Sequence, residues 1–165
     1  MIPVISFIGR SGVGKTTYLE KLIAELKSRG FRVGVIKHDI HGFEMDHPGK
    51  DTWRHAQAGA DVVCISSRDK FALIKKTQRD MPLEEIVARV DDVDIILVEG
   101  YKNHSALRVE IFRQSSGREP LDRPGDLLAV IADIPLLYPE LPHFGLDDAA
   151  TFASFLEPFI RDQQP

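Results

Sequence analysis

Apolar residues along the chain occur in short continuous runs and at helically spaced positions. The runs are PVISFI (3–8), FRVGVIKH (31–38), DVVCIS (61–66), KFALIKK (70–76), DVDIILVEG (92–100), LRVEIFR (107–113) and LLAVIAD (127–133). Each has the length of a β-strand, and a continuous apolar run is typical of a strand that is buried on both faces. The runs therefore predict strands, of which the segment 92–100 is the most apolar.

Four segments have the spacing or the flanking residues of helices: 15–30, 52–60, 82–90 and 147–161. In the first, apolar residues at positions 19, 22, 23 and 26 share one helical face, and Gly30 is a typical stop. Asp147 is the expected N-cap of the last helix. Residues rich in Asp, Gly and Pro predict loops at 39–52 and 114–126.

Strands that alternate with helices predict an α/β fold, in which helices flank a mainly parallel central sheet. The 165 residues suffice for one such domain, so we expect a single domain spanning 1–165. Ligands bind at the carboxyl ends of parallel strands. Gly9, His38, Glu99 and Asp133 stand at or just after the ends of predicted strands. We therefore expect them to meet at one edge of the sheet.

The composition argues against several classes of protein. A formal net charge of -4 is unusual for a general nucleic-acid binder, whose domains are usually basic. The single cysteine, Cys64, rules out an internal disulfide and a four-cysteine zinc site, and its place in an apolar run predicts a buried thiol. No apolar stretch approaches the roughly 18–20 residues of a membrane span, and the N-terminus lacks the basic start of a signal peptide. We expect a cytoplasmic protein that binds neither nucleic acid nor membranes.

The most specific motif follows the first predicted strand, where the chain reads Gly9-Arg10-Ser11-Gly12-Val13-Gly14-Lys15-Thr16. This segment fits the P-loop (Walker A) pattern G-x-x-x-x-G-K-[ST]. Its glycines allow backbone N–H groups to point at phosphate oxygens, and the helix that follows adds the positive end of its dipole. We expect Lys15 to reach the β- and γ-phosphates, Thr16 to ligate Mg²⁺ and Thr17 to donate to the α-phosphate. The motif predicts a three-layer P-loop NTPase fold.

A P-loop site needs a carboxylate near the magnesium ion. Glu99 is the best candidate, because it ends the apolar run DIILV and precedes Gly100. There it would hold the metal through water or orient an attacking water, which makes Lys15 and Glu99 the candidate catalytic residues. Asp94 lies at the other end of the same predicted strand and is expected to be distant.

The residues alone do not decide between guanine and adenine. A carboxylate that accepts from N1–H and N2–H reads guanine, and adenine lacks this pair of donors. Asp133 follows the run LLAVIA and stands where a late strand would deliver such a carboxylate, although an aspartate there is equally typical of a turn. The Asn-Lys-x-Asp signature for guanine is absent from the sequence, so GTP and ATP both stay open at this point.

One loop region holds four of the six histidines: His38, His41, His47 and His55. The nearby cations Lys37, Lys50 and Arg54 favour an anion or phosphate site as the first interpretation. A solvated loop without a ligand is the second. A metal site on His38, His41 and His47 is the third, because their spacing fits no standard zinc pattern.

Four stretches together resemble one known family: GRSGVGKTT, GVIKHD, DHPGKDTWRHAQAGAD and ILVEGYK. They are similar to the molybdopterin-guanine dinucleotide biosynthesis protein B (MobB) family, over about residues 3–133. Many families share the P-loop. The block Asp-x-Pro-Gly-Lys-Asp-[ST]-x-[RK], here from Asp46 to Arg54, is much more specific.

The resemblance implies a protein that binds GTP and Mg²⁺ and hydrolyses GTP weakly. It implies an adapter that assists a MobA-type molybdenum cofactor guanylyltransferase, the enzyme that attaches GMP to molybdopterin, and not that enzyme itself. It also implies a homodimer, with molybdopterin as a further candidate ligand. The family's phosphate residues correspond here to Gly12, Gly14, Lys15, Thr16 and Thr17. The block from Asp46 to Arg54 stays open between contacts with phosphates, cofactor and the other subunit.

Two other functions fit the same P-loop. A small-molecule kinase closes an arginine-bearing lid over the phosphates, and the loop 114–126 offers Arg118 and Arg123. A GTP-dependent metallochaperone would use the histidines, but such proteins commonly carry a Cys-x-His motif or a long histidine tract, and Cys64 stands alone. Slow hydrolysis suits the adapter, since the sequence fixes no arginine finger. Arg10 and Arg54 are candidates for that role across a dimer.

Overall fold

The computed structural model describes residues 2–101, 107–121, 127–134 and 138–162. The chain forms two compact units. The main unit comprises Met1–His38 and Leu83–Pro165, and the small unit comprises Asp39–Pro82. Of the helices in the described segments, none has the length and hydropathy needed to cross a membrane.

The described residues form eight β-strands and four α-helices, which alternate as far as β3 and then include two runs of consecutive strands. They are β1 (Val4–Ile8), α1 (Lys15–Ser28), β2 (Val33–Lys37), α2 (Asp51–Gln57), β3 (Val62–Ser66), β4 (Phe71–Lys75), α3 (Leu83–Val87), β5 (Ile95–Glu99), β6 (Leu107–Phe112), β7 (Leu127–Ala132), β8 (His143–Phe144) and α4 (Ala149–Arg161). A single 3₁₀ turn, Gln114–Ser116, follows β6.

Within the described residues, six strands of the main unit form one sheet in the order β2-β5-β1-β6-β7-β8, and all of its pairings are parallel. This confirms the predicted parallel sheet. Its register sets Phe7 opposite Glu99 and Ile8 opposite Glu110. The ends of β1, β5 and β6 therefore lie at the same edge of the sheet. The sequence did not predict β8, because two residues are too few to show a period.

Helices cover both faces of this sheet, which gives the predicted three layers. Alternate strand residues such as Phe7 and Leu97 share a buried cluster with Phe152 of α4, on the face that also carries α1. The residues between them, such as Val98, pack with Leu83 of α3 on the opposite face. Burial on both sides explains why β5 is a continuous apolar run in the sequence.

The N-cap of α4 is Asp148, so the prediction of Asp147 was wrong. The Asp148 carboxylate accepts a hydrogen bond from the Thr151 N–H at 3.1 Å. Asp147 lies before the cap and pairs with Lys21 of α1 at 2.5 Å. Two adjacent aspartates fit a cap equally well by sequence. The pairing of Asp147 with α1, which is tertiary, separates their roles.

The small unit contains α2 and an antiparallel hairpin, in which Val62 of β3 lies opposite Lys75 of β4. The sequence predicted both strands but not their separation from the parallel sheet. Their apolar side chains are largely exposed, with 57% for Ile65 and 66% for Phe71. Cys64 is exposed as well, so the prediction of a buried thiol was wrong. A two-stranded sheet offers little cover for the side chains on its faces.

Candidate nucleotide-binding site

The loop between β1 and α1, called the cradle below, depends on glycine at two positions of the P-loop motif. Gly14 is the N-cap of α1 and has a left-handed backbone conformation, with φ at 95°. A residue with a side chain would be strained at this φ. Gly9 approaches the neighbouring strand so closely that a Cβ there would lie 2.4 Å from the Ile111 carbonyl oxygen. Gly14 permits the turn into the helix, and Gly9 permits close contact between the loop and β6.

The other residues of the P-loop motif divide between the core and the surface. Val13 is fully buried and anchors the loop in the main core. Arg10, Ser11 and Gly12 are exposed, as are Thr16 and Thr17 in the first turn of α1. Val13 therefore fixes the loop to the core, and the exposed residues leave its outer surface accessible to a ligand.

The Lys15 ammonium group lies against the cradle. Its Nζ donates to the carbonyl oxygens of Gly9 at 3.2 Å and Arg10 at 3.0 Å. Its charge is thus held beside the turn whose backbone N–H groups the motif predicts to face phosphate.

Thr16 and Glu99 meet at the first turn of α1. The Thr16 hydroxyl lies 3.0 Å from Oε1 and 3.1 Å from Oε2 of the Glu99 carboxylate. Lys37, at the end of β2, has its Nζ 3.9 Å from Oε2 of the same carboxylate. A hydroxyl and a carboxylate are oxygen ligands of the kind that Mg²⁺ takes together with substrate phosphates and water. These donors fit the predicted ion.

The backbone on both sides of Glu99 is tied to neighbouring strands. The His38 N–H donates to the Glu99 carbonyl oxygen at 2.9 Å, and the His38 ring stacks on Tyr101 with centroids 4.2 Å apart. The Ser6 hydroxyl donates to the Gly100 carbonyl oxygen at 3.3 Å. These contacts present Glu99 from a well-fixed strand end. His38 and Glu99 therefore meet at the predicted edge.

A pocket of about 680 Å³ opens at the ends of β6, β7 and β8. Arg113 follows β6, Asp133 follows β7, and the segment from His143 to Asp148 closes the far side. One oxygen of the Asp133 carboxylate accepts from the Gln114 N–H at 2.7 Å, which holds the side chain in place. The volume is in the range of small-molecule sites.

Three aspartates, Asp133, Asp147 and Asp148, contribute to the wall of this pocket together with Arg113 and His143. The hydrogen bond from the Lys21 ammonium group and its charge lower the pKa of Asp147 below its usual value. The charge of Arg113 lowers this pKa further. A carboxylate such as Asp133 accepts hydrogen bonds, so it suits a ligand group that donates them better than it suits a phosphate.

Arg113 lies between the pocket and the cradle, and no sequence signal marks it as a site residue. Its Nε donates to the Val13 carbonyl oxygen at 3.3 Å. Another nitrogen of its guanidinium lies 3.4 Å from the position that a Cβ of Gly14 would occupy. Arg113 ends a predicted strand and matches no motif. Only the pairing of β6 with β1 brings it to the cradle.

Two of the predicted anion-binding residues, Lys50 and Arg54, belong to the small unit. Lys50 is the residue before α2, and Arg54 lies 3.8 Å from Asp51 within that helix. Their proposed contact with phosphate stays a prediction.

The alternatives gain no direct support from the arrangement of side chains. Across the part of the chain that is described, no three His, Cys, Asp or Glu side chains come together as metal ligands. The proposed metal site on His38, His41 and His47 is therefore not seen as a cluster among the described residues. His41 and His47 belong to the small unit. Of the two lid arginines, Arg118 is exposed, and Arg123 lies outside the described residues.

Comparison with known proteins decides the family. The family model described as "Molybdopterin guanine dinucleotide synthesis protein B", MobB, matches residues 4–133. The chain belongs to the MobB family. A "Molybdopterin-guanine dinucleotide biosynthesis adapter protein" from Escherichia coli K12 is 35% identical over 169 residues, which covers 99% of this chain and 96% of that protein. A protein of the same name from Haemophilus influenzae is 36% identical over 82% of this chain and 77% of its own length.

Solved MobB structures share the fold. A crystal structure of molybdopterin-guanine biosynthesis protein B matches with a TM-score of 0.74 and 26% identity, over 96% of this chain and 99% of that chain. A MobB homolog from Bacillus stearothermophilus matches with a TM-score of 0.70 and 26% identity, over 97% and 99%. The resemblance drawn from four sequence stretches is confirmed. The comparisons place this chain among the MobB adapters of molybdopterin-guanine dinucleotide biosynthesis.

Proposed function

We propose that this MobB protein binds GTP with Mg²⁺, hydrolyses it slowly, and acts in that state as an adapter in molybdopterin-guanine dinucleotide biosynthesis. The carrying observation is the convergence of Lys15, Thr16 and Glu99 on one cradle. The P-loop motif alone predicts the first two residues. The hydrogen bonds between Thr16 and Glu99 add a carboxylate from a distant strand.

The phosphates of the nucleotide would lie over the N–H groups that follow Gly12. Lys15 would exchange its two carbonyl acceptors, 3.2 and 3.0 Å away, for phosphate oxygens. Thr16 would hold the magnesium ion directly and Glu99 would hold it directly or through water. When bound, the ion neutralises charge on the phosphates.

The base would lie in the pocket at the ends of β6, β7 and β8. The Gln114 N–H occupies one lone pair of the Asp133 carboxylate, which leaves acceptor capacity for both N1–H and N2–H of guanine. An adenine base offers no such pair of donors. The Asp133 carboxylate thus favours GTP over ATP.

Hydrolysis at this site would be slow. The Glu99 carboxylate lies beside Thr16 and would orient the attacking water. The Lys37 Nζ lies 3.9 Å from Oε2 of that carboxylate and adds a second positive charge beside it. Lys15 supplies the positive charge at the cradle. We infer that further acceleration needs an arginine from a second copy or a partner protein.

The adapter role requires a partner, for which we propose a MobA-type guanylyltransferase. The relatives that carry the adapter name support this choice. Molybdopterin is a further candidate ligand. The test is a pull-down from the native host with Mg-GTP, scored for the transferase and for pterin fluorescence. Recovery of neither from the GTP-loaded protein would overturn the partner assignment.

We further propose that two copies pair through the hairpin of the small unit. Within the described residues, β3 and β4 pair with each other and with no third strand, and Phe71 and Leu73 are 66% and 52% exposed. An edge strand pairs readily with its own copy, and apolar side chains on its faces are then covered. The Leu73→Glu variant should run as a monomer in multi-angle light scattering. A monomeric wild type, or a variant that stays dimeric, would contradict this assignment.

Calorimetry of the full chain with Mg-GTP tests the nucleotide assignment. We expect wild-type protein to bind and Lys15→Ala to lose affinity by more than about tenfold, because a charge-assisted contact with phosphate is removed. Lys27→Ala is the matched control, since it removes a lysine from the last turn of the same helix. Equal affinity of wild type and Lys15→Ala would overturn the proposal. Transfer of the γ-phosphate to a pterin or nucleoside, rather than its release, would favour the kinase.

A further inference from the structure

We propose that Arg113 is a nucleotide-binding residue whose guanidinium lies against the purine base and forms the wall between the base pocket and the phosphate cradle. This inference rests on the proposed function and deepens it. It assigns a base contact to a residue that lies in none of the four family-like stretches.

The position of Arg113 follows from the sheet. It comes directly after β6, which pairs with β1, and Ile8 at the end of β1 lies opposite Glu110. Strand β6 therefore runs two residues beyond β1 and delivers Arg113 above the point where the P-loop begins. The side chain is half-buried there.

Two contacts hold the guanidinium against the cradle. Its Nε donates to the Val13 carbonyl oxygen at 3.3 Å. A terminal nitrogen lies 3.4 Å from where a Cβ of Gly14 would stand, so the glycine leaves the space that the arginine fills. The guanidinium is thereby oriented by the loop that would hold the phosphates.

The same side chain lines the pocket that contains Asp133. A nucleotide with its phosphates in the cradle and its base beside Asp133 would have to cross Arg113. A guanidinium is planar, weakly hydrated and able to stack on an aromatic ring. Lys15 already serves the phosphates. Asp133 and Asp147 line the same pocket as Arg113.

Two variants with two ligands test the role of Arg113. Arg113→Lys keeps the charge but loses the plane, and Arg113→Met loses both and keeps the length. We expect each variant to lose about tenfold in affinity for Mg-GTP, the scale of a partly desolvated cation–π contact. Affinity for magnesium tripolyphosphate, which has no base, should stay within about twofold of wild type. Arg118→Met, an exposed arginine of the following loop, is the control and should bind both ligands normally.

The outcomes are distinguishable. An Arg113→Lys variant that binds GTP like wild type would overturn the stacking role. So would an Arg113→Met variant that loses equal affinity for both ligands, because that result assigns a phosphate contact instead. Equal thermal midpoints of the variants and wild type exclude a folding effect, and Arg113→Lys supplies the comparison if Arg113→Met is unstable. If wild type binds neither ligand, the proposed function itself fails. If Lys15→Ala abolishes binding while the Arg113 variants do not, only this inference fails.

Discussion

The Thr16 hydroxyl lies within hydrogen-bonding distance of both oxygens of the Glu99 carboxylate, although 83 residues separate the two in the sequence. Thr16 lies in the first turn of α1, and Glu99 is the last residue of β5. The parallel sheet brings these ends together because β1 and β5 are neighbours. The contact places a candidate water-orienting carboxylate beside the candidate magnesium ligand.

Removal of the Glu99 charge should separate binding from hydrolysis. In Glu99→Gln, we expect single-turnover release of phosphate from GTP to fall about 100-fold or more, as when a positioned base is lost. Affinity for Mg-GTP should change by less than about threefold, because Thr16 and Lys15 remain. Glu20→Gln, which changes an exposed carboxylate of α1, is the control. Unchanged hydrolysis in the Glu99 variant would exclude Glu99 from the reaction.

A change at Asp133 should alter base preference. In Asp133→Asn the amide oxygen retains the hydrogen bond from the Gln114 N–H. The amide also replaces an acceptor by a donor, which suits xanthine and opposes guanine. We expect affinity for GTP to fall, and affinity for xanthosine triphosphate to rise, by about tenfold or more. Asp147→Asn, in the same pocket wall, should keep the preference for GTP. A switch in the Asp147 variant instead would reassign the base-reading carboxylate.

Gly14→Ala should damage the cradle beyond its cost in stability. The left-handed φ of 95° costs a side chain roughly 1–2 kcal/mol, and the new Cβ would press on the guanidinium of Arg113. Gly30→Ala provides the matched control, since Gly30 has a φ of 87° and no atoms near its Cβ position. Both variants should lose similar stability in urea, but only Gly14→Ala should lose affinity for GTP. Equal affinities in the two variants would place the cradle elsewhere.

The buried Glu110 carboxylate predicts a dependence of stability on pH. Burial raises the pKa of Glu110, an effect that the Leu121 N–H, Tyr138 and Arg10 oppose. In the folded state the proton is therefore held to a higher pH than in the unfolded chain. It follows that folding stability falls as pH rises through the interval between the ordinary and the raised pKa.

Glu110→Gln tests this directly, because the amide oxygen retains the hydrogen bond from the Leu121 N–H. We expect the variant to gain free energy of unfolding over wild type as the pH rises from about 4 to about 7. Urea denaturation at both pH values measures the gain, with the exposed Glu119→Gln as control. A difference that does not change with pH would show that Glu110 does not titrate as inferred.

Much of the fold follows from the sequence because burial leaves a pattern. The apolar run that becomes β5 predicts a strand covered on both faces, and Ile96 and Leu97 do belong to clusters on opposite sides. The P-loop is equally readable, since Gly14 and Lys15 occupy fixed positions for a stated physical reason. These local signals suffice for seven of the eight described strands, for the first helix and for the glycine-rich turn between β1 and α1.

What the sequence did not predict depends on tertiary pairing. The apolar runs at β3 and β4 resemble those of the main sheet, yet they pair only with each other among the described strands. Asp147 and Asp148 are equivalent as caps until Lys21 engages the first. Arg113 reaches the cradle through the register of β6 on β1. None of these relationships has a local pattern that would announce it.

A crystal structure of the full chain with Mg²⁺ and a non-hydrolysable GTP analogue would show whether the P-loop turn binds the phosphates. We predict phosphate density over the N–H groups from Gly12 to Thr16, a metal ion beside the Thr16 hydroxyl, and guanine against Asp133. Crystals grown at saturating ligand with no density in that turn would contradict the assignment of this protein as a GTP-binding protein.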